Sequence, residues 1–157
     1  MIITEKRRIG DLGEGLACDW LKRQGFRILD RNYLTKFGEI DIVGQKSGQT
    51  VFFEVKTVTS TVAKAMADKR GTIRDRFPDD DLWPDGVSCE SKGIDGDYEP
   101  EDNIHPWKLK RLARTIEIYL SDKDIDDDEA DWQLDCLAVY LDQEGKLLRI
   151  ERLEDIF

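Results

Sequence analysis

The sequence predicts a mixed β-sheet flanked by helices, of the α/β or α+β class. Two segments carry apolar residues at helical spacing, and the segments between and after them are short and rich in β-branched and aromatic residues. An order of one helix, three strands, a second helix and two strands builds a sheet with helices packed on it. The predicted helices are 5–24 and 106–120, and the predicted strands are 26–29, 38–43, 51–57, 132–141 and 147–153.

The first helix is predicted to start after Thr4, a good capping residue, and to stop before Gly25. Gly10 and Gly13 lie within or beside its apolar stripe. Each costs a helix interior about 1 kcal/mol relative to alanine, so we expect a close approach to the sheet there. Glu14 falls at the edge of the same stripe and is expected to point along the sheet surface.

The second and third strands are predicted to form an antiparallel hairpin with Ser47 and Gly48 at its tip. In that register Asp41 faces Glu54, and the two carboxylates share one face of the sheet with Lys56. Like charges placed directly opposite are unfavourable unless a cation lies between them. This pattern favours a divalent metal site.

Mg²⁺ or Mn²⁺ suits such a site, because these ions take hard oxygen ligands and often bind one or two carboxylates plus a substrate phosphate. The ion lowers the pKa of a bound water and neutralises charge on a phosphoryl oxygen. Lys56 would stabilise the anionic transition state. Metal, activated water and ammonium together are what phosphodiester hydrolysis needs.

A purely structural interpretation is also open. In the same register Glu39 faces Lys56, so a cross-strand salt bridge would explain the lysine without catalysis. Glu14 alone would then be a solvated helix residue. We predict that Trp20, Trp107 and Trp132 belong to the core rather than to a surface that stacks bases.

The remaining segments connect these elements. A polar turn is predicted at 30–32, and an acidic insertion at about 59–104 contains a short helix at 60–69. A solvated acidic loop is predicted at 122–129, and the last two residues, 156–157, are expected to pack against the body.

The chain of 157 residues has a net charge of −10, which is unfavourable for a nucleic-acid partner. The acids are concentrated in two segments: 61–105 has twelve acids and six bases, and 121–135 has eight acids and one base. By contrast, 106–120 has four bases and one acid. The regions around the candidate site are therefore neutral to basic.

Taken together, the ordered motifs closely resemble the YraN family of bacterial endonuclease-like proteins, which are related to Holliday-junction resolvases of the PD-(D/E)xK, restriction-endonuclease-like superfamily. The resemblance covers roughly 8–57 and 105–157. Its motifs are Gly13-Glu14, the 25–33 segment from Gly25 to Tyr33, Gly38-Glu39-Ile40-Asp41, Glu54-Val55-Lys56, Lys108 to Ala113, and Leu134-Asp135.

The resemblance implies an α/β, restriction-endonuclease-like fold in a single domain, 1–157, and metal-dependent endonuclease chemistry on DNA, including branched DNA. By residue, it implies that Asp41 and Glu54 bind the metal, that Lys56 is the catalytic lysine, and that Glu14 is an auxiliary acid. Glu39 would support the ligands. Candidate DNA contacts on the second helix are Lys108, Lys110 and Arg111.

The chain departs from the family pattern at three places. Val58 lies where an arginine is usual, Gln133-Leu134-Asp135 replaces Arg-Phe-Asp, and the stretch before the second helix is longer and acidic. The catalytic set is intact, but the path for DNA is less basic.

Two other functions stay open at this stage. One is a non-catalytic DNA- or protein-binding module that keeps the nuclease fold, and the other is a docking protein whose functional surface is the acidic insertion. A homodimer is expected for a junction nuclease, because two symmetric cuts need two sites. Three cysteines without a Cys-x-x-Cys pair, no export signal and no apolar run of membrane length favour the cytoplasm.

Overall fold

A computed structural model of the protein describes residues 4–59, 106–125 and 131–157. It contains a five-stranded mixed sheet and two helices in the predicted α-β-β-β-α-β-β order, which confirms the predicted α/β architecture. The elements are α1 (Glu5–Arg23), β1 (Arg27–Leu34), β2 (Glu39–Lys46), β3 (Gln49–Thr59), α2 (Pro106–Asp122), β4 (Trp132–Leu141) and β5 (Leu147–Leu153).

The strands lie side by side in chain order, β1 to β5. All neighbours are antiparallel except β3 and β4, which are parallel. Parallel neighbours need a crossover connection, and α2 lies in the chain between these two strands. β3 is therefore a central strand with one antiparallel and one parallel neighbour.

The β2–β3 hairpin has the predicted tip. Ser47 and Gly48 adopt φ angles of 53° and 87°, as both central residues of a type I′ turn require. The register places Ile42 opposite Phe53 and Lys46 opposite Gln49, as predicted. The turn thus sets the pairing of the two strands that carry the candidate site.

Apolar side chains form a core on each face of the sheet. The cluster under α1 includes Ala17, Leu21, Ile42, Phe53 and Leu137, all fully buried. The cluster under α2 lies on the other face, and its buried members include Ile40, Val43, Phe52, Leu112 and Ile116. The sheet is therefore covered on both sides, and strand β4, buried along most of its length, lies between the two layers.

The predicted polar turn at 30–32 is wrong, because these residues continue strand β1. A register shift between Ile28 and Asp30 and a φ of 50° at Asn32 interrupt the regular strand instead. Such irregularities bend a strand and turn its side chains to a different face. The change of direction expected at 30–32 comes later, where Thr35 donates its backbone N–H to the carbonyl of Gly38.

Close approach of α1 to the sheet is confirmed at Gly13 but not at Gly10. A Cβ added to Gly13 would lie 1.9 Å from Oγ1 of Thr57, whereas one added to Gly10 would meet nothing within 4 Å. Of the three tryptophans predicted to be core, Trp20 is buried and Trp132 is half-buried. The prediction is wrong for Trp107, which is 58% exposed.

The end of the chain packs against the sheet as expected. The backbone N–H of Ile156 donates to the carbonyl of Leu134 over 2.9 Å. The predicted acidic insertion, apart from Thr59 at the end of β3, and the short helix predicted at 60–69 lie outside the described residues, as do residues 126–129 of the predicted acidic loop. In the described part of the chain, neither helix has the length and apolar character needed to cross a bilayer.

Candidate metal and phosphate site

The candidate site is a cavity of about 320 Å³ on the α2 face of the sheet. Its floor is formed by β2 and β3, and its walls by the loop between β1 and β2 and by the first two turns of α2. The lining residues are Phe37, Gly38, Glu39, Asp41, Glu54, Trp107, Lys108, Arg111 and Leu112. Of the residues predicted for the metal, Asp41 and Glu54 therefore share one cavity.

Asp41 lies where the regular pairing of β2 and β3 ends. Its Oδ2 accepts the backbone N–H of Val55 over 2.7 Å. The Asp41 side chain thus occupies the N–H of Val55, which in a regular sheet would donate to a backbone carbonyl of the neighbouring strand. Ile40 and Ile42, on either side of Asp41, are buried in clusters on opposite faces. Because residues two apart in a regular strand share a face, the alternation of β2 changes at Asp41.

The carboxyl group of Asp41 is poor at holding a charge in this environment. Burial and, next, the charge of Glu54 raise its pKa to about 8, against the lowering effect of the hydrogen bond from Val55. The charges of Glu14 and Lys108 act more weakly, the first raising this pKa and the second lowering it. An ionised Asp41 therefore needs an additional positive charge nearby.

Glu54 is buried and is contacted by two ammonium groups. Nζ of Lys56 lies 3.3 Å from its Oε1, and Nζ of Lys108 donates a hydrogen bond to the same oxygen. Burial is the largest single effect on the pKa of Lys56 and lowers it, but the charge of Glu54, the hydrogen bonds with Lys108 and Glu54 and the nearby Cys136 together outweigh burial, so the net pKa is raised. The carboxylate that contacts Lys56 is Glu54, rather than Glu39 as in the salt bridge considered from the sequence.

Glu14 lies near the cavity but not in its lining. Its Oε2 accepts a hydrogen bond from Nδ2 of Asn32 over 2.7 Å. In the pairing of β1 with β2, Arg31 lies opposite Ile42 and Tyr33 lies opposite Ile40. Asn32, between the two β1 residues, therefore lies opposite Asp41, between the two β2 residues. The positive φ of Asn32 and the altered face of Asp41 therefore occur side by side.

The other predicted residues are distributed over the cavity walls and the outer face of α2. Glu39 lines the cavity and is exposed. Arg111 also lines it, and its Nε donates to the backbone carbonyl of Phe37, which ties α2 to the β1–β2 loop. Lys110 is exposed on α2 and is not among the lining residues.

The donor set of the cavity fits a hard divalent cation that keeps several waters. Asp41 and Glu54 supply two carboxylates, and Mg²⁺ commonly binds one or two carboxylates together with water and phosphate. Burial and the repulsion from Glu54 raise the pKa of Asp41, and a cation bound here would offset both effects. No group of three or more His, Cys, Asp or Glu side chains in the described ranges is arranged to hold a metal ion. The fit is thus that of a two-carboxylate, water-rich site.

Three features of the site were not predicted from the sequence. The contact of Lys108 with Glu54 had one sequence signal, since Lys108 is four residues before buried Leu112 and so lies near the apolar stripe of α2. The hydrogen bond from Asn32 to Glu14 had none, because it depends on the irregular backbone of β1. The placement of Trp107 in the cavity wall also had none.

Comparison with known proteins gives a consistent family match. The model of the uncharacterised protein family UPF0102 matches residues 13–75. A UPF0102 protein of Syntrophus aciditrophicus is 32% identical over 155 residues, which cover 99% of this chain and 92% of that protein. A UPF0102 protein of Helicobacter pylori is 30% identical over 150 residues, with 96% and 94% coverage.

A shorter and stronger match is found with a UPF0102 protein of Thermotoga neapolitana. It is 61% identical over 44 residues, which are 28% of this chain and 41% of that relative. The names of these relatives state no activity.

Proposed function

This chain belongs to the uncharacterised protein family UPF0102, and we propose that it is a divalent-metal-dependent endonuclease of the PD-(D/E)xK superfamily that hydrolyses DNA phosphodiester bonds. Branched DNA is the substrate class that we propose on the resemblance to Holliday-junction resolvases, and a homodimer is the assembly that two symmetric cuts would need.

One observation supports this proposal above the others. Asp41 and Glu54 line one cavity, and the ammonium of Lys56 lies 3.3 Å from the Glu54 carboxylate. Two hard acidic ligands and one positioned cation on a rigid sheet are the combination that metal-assisted phosphodiester hydrolysis uses.

Asp41 and Glu54 would hold the cation. Bound there, Mg²⁺ or Mn²⁺ would supply a water of lowered pKa and neutralise charge on the phosphoryl oxygens. Val55 orients Asp41 by donating its backbone N–H to one carboxylate oxygen, so the other oxygen can face the cation.

Lys56 would act on the phosphate. Its ammonium is a compact charge on a central strand, and although burial lowers its pKa, Glu54 and the other groups around it raise the net pKa. It would stabilise the negative charge that develops on the phosphoryl oxygens and help orient the attacking water. Glu14, held by Asn32, would adjust the charge around Asp41 from the side of α1.

The test is a cleavage assay on linear duplex, flapped and four-way-junction DNA. Cleavage is expected with Mg²⁺ or Mn²⁺, none with EDTA, and the junction is expected to be cut fastest. Asp41→Asn keeps the shape of the side chain but removes one anionic ligand, and it is expected to reduce cleavage by on the order of 100-fold or more. Metal-dependent cleavage that Asp41→Asn leaves undiminished would contradict the assignment.

A second candidate function has an observation in its favour. Lys56 and Lys108 both contact Glu54, so this carboxylate is already neutralised by the protein's own cations. A non-catalytic DNA- or protein-binding module could use such a site as a structural ion pair. This candidate predicts salt-sensitive DNA binding that survives Asp41→Asn, together with no cleavage in either metal.

Lys108 competes with the proposed metal for Glu54. Because its ammonium contacts the carboxylate, it has to move before a cation can bind the same oxygen. Lys108→Ala is therefore expected to strengthen Mn²⁺ binding by roughly 5-fold, the equivalent of a partly exposed ion pair of about 1 kcal/mol. Mn²⁺ affinity is measured by electron paramagnetic resonance of the free ion.

Lys110→Ala is the matched control for this measurement, since Lys110 is exposed two residues further along α2. It is expected to leave the affinity unchanged. An Mn²⁺ affinity for Lys108→Ala equal to or weaker than that of the unmodified protein would show that Lys108 does not occupy the ligand position.

A further inference from the structure

Beside the candidate metal site lies a surface that phosphodiester chemistry alone does not require. It consists of Lys36, Phe37, Trp107, Arg111 and Arg114, and we refer to it as the aromatic–basic rim. Phe37, Trp107 and Arg111 line the same cavity as Asp41 and Glu54. The rim joins the β1–β2 loop to the start of α2.

Cations and rings are interleaved in this rim. The guanidinium carbon of Arg114 lies 4.7 Å from the centre of the Phe37 ring, and Nζ of Lys36 lies 5.0 Å from it. The guanidinium carbon of Arg111 lies 5.7 Å from the centre of the Trp107 ring. Among the residues that the structure describes, no salt bridge to a carboxylate involves Lys36, Arg111 or Arg114. Within that part of the chain, no carboxylate neutralises these three charges.

Trp107 is the group in the rim best suited to stack on a ligand. It is 58% exposed, although a large aromatic side chain normally gains free energy by burial. Lys108 and Arg111 line the same cavity, and the guanidinium of Arg111 lies over the Trp107 ring. Phe37 has a different role, because two cations, those of Lys36 and Arg114, lie over its ring.

We infer that the aromatic–basic rim binds an unpaired nucleotide of the DNA substrate, with its base stacked on Trp107 and its phosphates contacted by Arg111, Arg114 and Lys36. This inference rests on the proposed nuclease function and specifies its substrate: DNA with a single-stranded segment next to the bond to be cut. Single-stranded nucleic acid is recognised by aromatic surfaces within a positively charged groove.

The rim suits a single strand rather than a duplex, because the flat faces of the bases are accessible only where the bases are unpaired. In a duplex the faces of the bases are covered by stacked neighbours, so an exposed indole has no flat partner. In a flap, a gap or an opened junction the base faces are accessible. The charge of the rim is complementary to phosphate, and its continuity with the Asp41–Glu54 cavity places the unpaired strand beside the proposed chemistry.

The test compares binding of an oligothymidine single strand and of a short duplex, without metal, by fluorescence anisotropy. Trp107→Ala is expected to weaken binding of the single strand by about 10-fold and to change duplex binding by less than about 2-fold. Trp107→Phe keeps an aromatic face and is expected to retain most of the single-strand affinity. Circular dichroism and thermal melting of each variant verify that it is folded.

Phe157→Ala is the matched control, because Phe157 is also an exposed aromatic residue, 63% exposed, and contacts Trp132 rather than the cavity. It is expected to change neither affinity. Single-strand affinity that Trp107→Ala leaves intact, or an equal loss for both DNAs, would overturn the inference while the nuclease proposal stands. Failure of the unmodified protein to bind either DNA would instead count against the proposed function and the inference together.

Discussion

Replacing Glu54 with glutamine is expected to abolish metal binding and metal-dependent cleavage. The substitution keeps the size of the side chain but removes the charge that Lys56 and Lys108 now share. With a neutral glutamine at position 54, Asp41 would be the one anionic ligand of the proposed pair, so the Mn²⁺ affinity should fall by at least about 100-fold. Loss of the charge stabilisation that depends on that cation should reduce the cleavage rate by roughly 1,000-fold.

The same substitution is expected to leave the fold nearly intact. Lys56 and Lys108 keep 24% and 28% of their side-chain surface exposed, so both ammonium groups can turn towards water when the carboxylate is gone. The free energy of unfolding should therefore change by no more than about 1 kcal/mol. This separates the loss of chemistry from a loss of structure, and urea denaturation measures it.

Glu117→Gln is the matched control, because Glu117 is exposed on α2 and is absent from the cavity lining. Mn²⁺ binding and cleavage should both be unaffected by it. If Glu54→Gln bound Mn²⁺ as tightly as the unmodified protein, Glu54 would not be a metal ligand, and any cleavage activity would have to come from another site.

The part of the site that could be predicted from the sequence is the part controlled by local chemistry. Ser47 and Gly48 accept the positive φ angles of a tight turn, and a two-residue turn leaves one register for the strands beside it. That register ends at the pair of Ile42 and Phe53, and Asp41 and Glu54, thirteen apart in the chain, are the next residues of the two strands. The candidate carboxylate pair is therefore a consequence of the turn, and it could be located without a structure.

What could not be predicted depends on where regular pairing fails. The alternation of a strand places Ile40 and Ile42 on one face, yet they are buried on opposite faces, at the point where Asp41 accepts the N–H of Val55. Residues 30–32 have the composition of a turn, and only packing in the sheet keeps them in β1. Local propensity gives no information about either outcome, since both are decided by neighbouring strands.

Contacts between distant elements form the second group that sequence patterns miss. Lys108 reaches Glu54 across 54 residues of chain, and Arg111 reaches the carbonyl of Phe37 across 74. Helical periodicity assigns a residue to one side of α2 but does not say which strand that side meets. For the same reason Trp107 was expected in the core, and it forms part of the cavity wall instead.

The positions of the cations on α2 show how an acidic protein can still present a basic surface. The net charge of −10 suits a DNA-binding protein poorly. However, Lys108 and Arg111 of α2 line the candidate cavity, and Arg114 of the same helix lies over the ring of Phe37 in the cavity wall. Association with DNA depends on the local field of the binding surface more than on the total charge. Salt-dependent binding confined to this surface is therefore compatible with an acidic protein.

Asp135→Ala is expected to cause the largest loss of stability of any single substitution considered for this protein. Asp135 is fully buried in β4. Its carboxylate accepts one hydrogen bond from Nε of Arg152 over 2.7 Å and another from the backbone N–H of Asp155 over 2.9 Å. Gln133 donates to the same group over 2.6 Å. Removing the carboxylate leaves a buried guanidinium and two donors without their acceptor.

Breaking a buried ion pair by deleting one partner costs about 3–5 kcal/mol, and we expect a value near the lower end for Asp135→Ala. The side chain of Arg152 is only 7% exposed, but another of its contacts, to Glu154 at 3.1 Å, would compensate part of its charge. A loss of about 3 kcal/mol is a large share of the 5–15 kcal/mol typical of a domain. Urea denaturation of this variant and of Asp11→Ala, at an exposed position of α1, measures the difference.

The double substitution Asp135→Leu with Arg152→Met identifies the cause of that loss. If the uncompensated charge is responsible, replacing both partners by apolar side chains should restore most of the stability, because buried ion pairs are often no more stable than apolar pairs of similar volume. A double variant as unstable as Asp135→Ala would show that the hydrogen bond to Asp155, which fastens the chain end to β4, is the dominant contribution. Since Asp135 is the parallel-sheet partner of Phe53, next to Glu54, loosening of this anchor would also reach the candidate site.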